Sequence, residues 1–120
     1  MDYDGALLAF AALSQGTRLD TFRLLVSNEP DGIAAGDLAR KVGVPQNTMS
    51  SHLAILSRAG LIIGERQSRS IVYRANLATF QALTIFMVQD CCGGRREFCE
   101  PLLESLTHRP AKSRKSKTRA

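Results

Sequence analysis

Hydrophobic positions recur at helical spacing through most of this chain and give way to a strand-like pattern only once. Residues 4–13 set Leu7, Leu8, Phe10, Ala11 and Leu13 into an apolar stripe, interrupted by Ser14-Gln15-Gly16. Residues 17–27 read as a second helix, with Leu19, Phe22, Leu25 and Val26 at helical intervals. Asn28-Glu29-Pro30-Asp31-Gly32 is a loop by composition. A short helix from about residue 35 carries Leu38, Ala39 and Val42 and ends at Gly43, a residue suited to a helix C-terminus. Pro45 opens the next helix, where its missing N–H removes no bond. That helix runs to Ala59, with Met49, Leu53 and Leu56 facing inward and Gly60 as its stop.

The period then changes. Residues 61–66 and 71–74 are short strand-like runs around the polar Gln67-Ser68-Arg69-Ser70, the pattern of a β-hairpin. Asn76 is a suitable N-cap for a last long helix, with Leu77, Phe80, Leu83 and Phe86 or Met87 on one face. Gly93-Gly94 should break it, and residues 101–106 predict one further turn. The expectation is one domain over 1–106, mainly α with a small β-hairpin, followed by a disordered basic tail over 107–120. Helix, short helix, turn, helix, hairpin, helix is the order of a winged helix-turn-helix.

Composition narrows the class. The 120 residues are 44% hydrophobic and 22% charged, a balance suited to a soluble globular protein. No apolar run approaches the ~20 residues a membrane span needs. No secretory signal pattern is present, and three cysteines cannot all pair within one chain. These features predict a cytoplasmic protein in a reducing compartment, with no membrane partner.

The net charge of +5 is uneven. Arg40, Lys41, Arg58, Arg66, Arg69 and Arg74 face Glu65 alone between residues 40 and 74, whereas residues 1–39 are net acidic. Six more basic residues and no acid fill 107–120. A concentrated positive segment is the electrostatic footprint of a polyanion partner. The tail is equally well read as a solubilising end.

The stretches LSQGTRLDTFRLL (13–25), GDLARKVGVPQNTMSSHLAILSRAGLI (36–62) and ERQSRSIVYRA (65–75) closely resemble the ArsR/SmtB family of metal-sensing transcriptional repressors. The likeness covers roughly residues 5–92, and its strongest piece is Ser-x-His-Leu-x-x-Leu-x-x-Ala-Gly-Leu over 50–61. Gln15-Gly16 departs from it, standing where the family often has Asp-Pro. The resemblance implies a homodimer, joined through its first and last helices, that binds an inverted repeat in double-stranded operator DNA.

In a helix-turn-helix the second helix enters the major groove with its N-terminal residues on base edges. Here that helix begins Gln46-Asn47-Thr48, then Ser50-Ser51-His52, side chains that are short, polar and able to donate and accept. The family pattern points to Gln46, Ser50 and Ser51 as base readers, with Asn47 and Thr48 next. His52, one turn along, reaches either a phosphate or the domain body. Arg66, Arg69 and Arg74 on or beside the hairpin, with Arg58 at the helix end, are candidate DNA contacts, and by resemblance to winged-helix proteins a wing tip carrying Arg69 enters a minor groove or clamps the backbone. Taken singly, each wing arginine is as well explained as a solvated strand residue.

All three cysteines, Cys91, Cys92 and Cys99, fall within nine residues. In an unbroken helix Cys92 and Cys99 would lie about 10 Å apart along the axis, too far for one ion. Gly93-Gly94 can turn the chain back and bring Cys99 to the adjacent pair. Three thiolates suit a soft ion. Trivalent arsenic or antimony is complete with three sulfurs, whereas structural zinc usually takes four ligands. Within the resembling family the match is to arsenic-responsive members with C-terminal cysteines. As(III) or Sb(III) is therefore the expected inducer, bound by Cys91, Cys92 and Cys99, with no organic cofactor.

Two other signals remain open on the same cysteines, an oxidant forming a disulfide and a zinc or cadmium ion. An enzyme is not expected. The Cys-x5-Arg oxyanion loop fails because Glu97 and Phe98 stand six residues beyond Cys91 and Cys92, and neither His52 nor His108 has an evident catalytic partner.

Overall fold

A computed structural model describes residues 1–91 and 95–107. The chain divides into two compact units, the first Met1–Phe86 and the second beginning at Met87.

The first unit contains α1 (Tyr3–Leu13), α2 (Gly16–Ser27), β1 (Ile33–Ala34), α3 (Ala35–Val42), α4 (Gln46–Arg58), β2 (Ile62–Gln67), β3 (Ser70–Ala75) and α5 (Leu77–Phe86). Local chemistry sets several ends. The Asp2 carboxylate accepts the Gly5 N–H at 2.8 Å and the Gln15 side chain accepts that of Arg18 at 2.9 Å, so both helix starts are capped. Gly43 sits at φ +84, which lets its N–H and that of Val44 both return to the Ala39 carbonyl and close α3. Pro45 is the residue before α4 rather than its first member. Gly60, at φ +78, ends α4 and turns the chain so that the Leu61 N–H bonds the Leu56 carbonyl.

The core is built from Phe22 and Leu25 of α2, Leu38 of α3, Met49, Leu53 and Leu56 of α4, and Leu61. Thr21, the buried polar residue among them, donates its hydroxyl to the Thr17 carbonyl at 2.7 Å. This satisfies the group within its own helix.

The apolar positions of α1 and α5 divide between core and surface. The inward face of α1 is Ala6, Ala9 and Ala12, while Leu7 and Leu8 are about half exposed, at 49% and 48%. Small residues let α1 approach α2 and α4 closely and leave the leucines outside. On α5 only Leu83 is buried, whereas Leu77, Phe80 and Ile85 are exposed. The α5 stripe is thus largely an open apolar surface.

The hairpin is joined by a third strand that periodicity does not reveal. β1 has two residues, Ile33 and Ala34, paired antiparallel with Tyr73 and Val72, giving the order β1-β3-β2. The turn is also shorter than expected. Gln67 pairs with Ser70, leaving only Ser68 and Arg69 at the tip, and Ser68 adopts a left-handed φ of 61°. With positive φ at the first central residue and not the second, this is the pattern of a type II′ turn, in which glycine is the usual first residue.

The second unit opens with a π-helical segment, Met87–Cys91, and contains α6 (Arg96–Thr107). α6 is three turns long rather than the single turn expected over 101–106, and Pro101 lies inside it. The expected tail begins at Thr107, and residues 108–120 lie outside the described residues.

Candidate nucleic-acid interface and thiol cluster

α4 is held by its apolar side and open on the other. With Met49, Leu53 and Leu56 buried, a repeat of 3.6 residues per turn puts Asn47, Ser51, Ala54 and Arg58 on the opposite face. Gln46, Thr48 and Ser50 are exposed beside them. The residues expected to read bases therefore share one solvent-facing surface at the N-terminal half of the helix.

Several of these side chains are already held by neighbours. The Gln46 amide nitrogen lies against Gly36 of α3, 3.0 Å from where a Cβ on that glycine would stand. Asn47 accepts the Thr48 N–H through Oδ1 at 2.9 Å, leaving its NH2 without a partner among the described residues. Ser51 donates weakly to the Asn47 carbonyl at 3.4 Å. His52 is half-buried, and its Nδ1 lies 3.3 Å from Arg18 Nη1 of α2, so that ring nitrogen faces the domain body.

Strand register separates the three hairpin arginines. Arg74 stands opposite Ile63, while Arg66 stands opposite Ile71. Side chains alternate between faces along a strand, so Arg74 shares a face with Glu65 and Val72, and Arg66 occupies the other face. Arg69 is at the tip. Arg74 is also engaged: its Nη2 and Nε donate to Glu29 at 2.8 and 3.4 Å. The Arg74 hydrogen bond holds the Glu29 carboxyl below its ordinary value, and the same contact raises Arg74 above its own. Arg66 and Arg69 thus stay together at the exposed end of the wing, and Arg74 is drawn away to the loop after α2. Arg40, on α3, is paired with Asp37 one turn earlier.

Sequence reasoning missed three contributors to this surface: Arg18 behind His52, Gly36 beneath Gln46, and Glu29 on Arg74. Arg18 does lie within the motif that carries the family likeness. No local pattern marks any of the three as a partner, because each contact joins separate elements.

Of the cysteines, Cys99 is described fully. It is buried in the first turn of α6, and its Sγ approaches the Val88 carbonyl at 3.7 Å within the second unit. The Cys99 thiol therefore lies against the π-helical segment Met87–Cys91. Cys91 ends the π-helical segment, its side chain lies outside the described residues, and so does Cys92. Among the described residues no three His, Cys, Asp or Glu side chains gather as a metal site. Arg95, between the cysteines in sequence, donates to Glu97 at 2.7 and 3.0 Å. The Glu97 carboxyl is held low first by its own backbone N–H and then by Arg95.

Comparison with known proteins agrees with this architecture. Residues 13–65 match the model of a helix-turn-helix domain. The chain is similar to the HTH-type transcriptional regulator NmtR of Mycobacterium tuberculosis, with 46% identity over 37 residues, a match spanning 31% of either chain. Among solved structures it is similar to an ArsR-like transcriptional regulator from Rhodococcus sp. RHA1, at TM-score 0.69 and 24% identity, covering 86% of this chain and 94% of that one. It is also similar to a homodimeric winged helix-turn-helix DNA-binding domain from Mycobacterium bovis, a possible ArsR-family regulator. That likeness has a TM-score of 0.60 and 24% identity, covering 71% of this chain and 77% of the other. The fold is a winged helix-turn-helix. No described helix is long and apolar enough to cross a membrane.

Proposed function

We propose that this chain is a transcriptional regulator of the ArsR kind that binds an inverted-repeat operator as a homodimer. The observation that carries the reading is the exposed polar face of α4, with Gln46, Asn47, Thr48, Ser50 and Ser51 at its start and Arg66 and Arg69 at the wing tip. A helix inserts into the major groove, and a flanking basic ribbon grips the backbone. Leu7, Leu8, Leu77, Phe80 and Ile85 supply an apolar surface for a second copy. An isologous pair of this kind presents two recognition helices to two half-sites about one helical turn apart, or a multiple of it.

The proposed signal is As(III) or Sb(III), held by Cys91, Cys92 and Cys99. The donor set supports it, since three sulfurs complete a pyramidal shell, and so does the return of Cys99 toward the segment that ends at Cys91. Each thiol would displace one hydroxide of the metalloid, which leaves as water with the thiol proton, and the three resulting bonds to sulfur would order this segment. Release of DNA follows if the ordered and DNA-bound forms prefer different arrangements of the dimer.

The test is a gel shift on a duplex selected by the wild-type chain from a random pool, with arsenite, antimonite, zinc, cadmium and peroxide titrated in parallel. Release by arsenite and antimonite, lost when Cys91, Cys92 and Cys99 are all serine, supports the metalloid reading. Release of the triple-serine variant by arsenite overturns it. Release by peroxide alone, or by zinc or cadmium alone, assigns the same cysteines to another signal. Failure to select any duplex removes the regulator reading itself.

A further inference from the structure

Arg18 makes three hydrogen bonds that join three helices. Its backbone N–H is taken by Gln15 at the start of α2. Its Nε donates to the Ala12 carbonyl, in the last turn of α1, at 2.7 Å. Its Nη1 lies 3.3 Å from Nδ1 of His52 on α4. A guanidinium carries only donors, so His52 Nδ1 must be the acceptor in the last contact. The imidazole is then neutral, with its proton on Nε2. The two ring nitrogens point to opposite sides of the imidazole, so Nε2–H is aimed away from Arg18. It has no partner among the described residues, and His52 is half-exposed on the flank of α4 beside Thr48.

We propose that Arg18 is a positioning residue for DNA binding: tied to Ala12 of α1, it fixes His52 as the Nε2–H tautomer and presents that N–H to a phosphate oxygen. The proposal deepens the DNA-binding reading and rests on it. It also gives α4 a direct tie to the end of α1, a helix whose leucines are exposed for a second copy. The contact is that of a neutral donor. It adds affinity on any sequence, because phosphates carry no base identity. It leaves the salt dependence unchanged, because no cation is added to the interface.

Two measurements test it. Nitrogen-15 long-range correlation spectra of the free wild-type chain, taken at about pH 8.5, report the tautomer of the neutral imidazole directly. The expected result is Nε2–H for His52, turning into a tautomer mixture in Arg18→Gln and restored in part by Arg18→Lys. Nδ1–H in the wild type overturns the proposal, as does an unchanged tautomer in Arg18→Gln. This arm needs no DNA, so it stands even if the regulator reading fails.

The second arm measures affinity for the selected duplex and for an unrelated one across a salt series. The Gln amide nitrogen reaches the position of Nε2, whereas the Asn oxygen reaches that of Nδ1. His52→Gln is therefore expected within about threefold of wild type, and His52→Asn about tenfold weaker on both duplexes at an unchanged salt slope. Equal affinity of the two variants, or a reduced salt slope, overturns the neutral-donor role. Should Arg18→Gln fail to fold, the wild-type tautomer and the two His52 variants still decide the matter. If the wild type binds neither duplex, the regulator reading is what has failed.

Discussion

The Glu29 carboxylate and the Arg74 guanidinium are joined by two hydrogen bonds, Nη2 to Oε1 at 2.8 Å and Nε to Oε2 at 3.4 Å, tying β3 to the loop after α2. Arg74 holds the Glu29 carboxyl below its ordinary value of 4.5. A carboxyl with a depressed value binds fewer protons folded than unfolded. Its contribution to stability is therefore complete above pH 4.5 and is lost as the pH falls through the lowered value. Chemical denaturation of wild type and Glu29→Gln over a pH series checks this. The wild type is expected to be the more stable at neutral pH, and the difference to shrink from pH 4.5 downward.

The same pairing separates Arg74 from Arg69 in DNA binding. Arg74→Ala is expected to reduce affinity by less than about threefold, and Arg69→Ala by about tenfold in the dimer, with a lower salt slope because phosphate charges are no longer neutralised. Titration of both variants on one duplex at several salt concentrations distinguishes them. Equal losses would return Arg74 to the DNA-contacting set.

Gly36 and Gln46 give a variant in which stability and recognition should part. An alanine at position 36 improves helix propensity by about 0.5–1 kcal/mol, and the contact its Cβ makes is with the far end of a flexible side chain. Gly36→Ala is expected to unfold at a slightly higher temperature. Displacing the Gln46 amide should change the preferred base at one position of each half-site. Thermal unfolding and duplex selection from a random pool measure the two effects.

Leu8, 48% exposed on α1, tests assembly. Leu8→Glu should leave the monomer fold intact by circular dichroism, because the side chain contributes little to the core. Placing a carboxylate in an apolar interface should weaken self-association at least about tenfold, as seen by sedimentation, and DNA affinity should fall with it. An unchanged dimer would move the interface away from α1.

Much of this molecule was legible in the chain. α4 follows from Pro45, the buried positions Met49, Leu53 and Leu56, and Gly60, all local signals with a helical period. The candidate base-reading residues follow from that helix, since whatever lies opposite its apolar side faces solvent. β1 was not legible, because two residues carry no periodicity and Ile33-Ala34 becomes a strand only when Tyr73 and Val72 lie beside it. The extent of α6 was hidden by Pro101, which ordinarily breaks a helix and here lies inside one.

By itself the sequence determined the order of the helices α1 to α5 and the hairpin, the turn between α3 and α4, and the polar composition of the recognition surface, because each depends on neighbours within one turn or one strand. The tertiary structure decided which of two apolar faces goes inside. Periodicity marks both the alanines and the leucines of α1 as apolar, and only packing against α2 and α4 selects the smaller set. It also decided which charges remain available. Arg74 meets Glu29 across 45 positions of chain and Arg18 meets His52 across 34, separations at which no local pattern reports a partner.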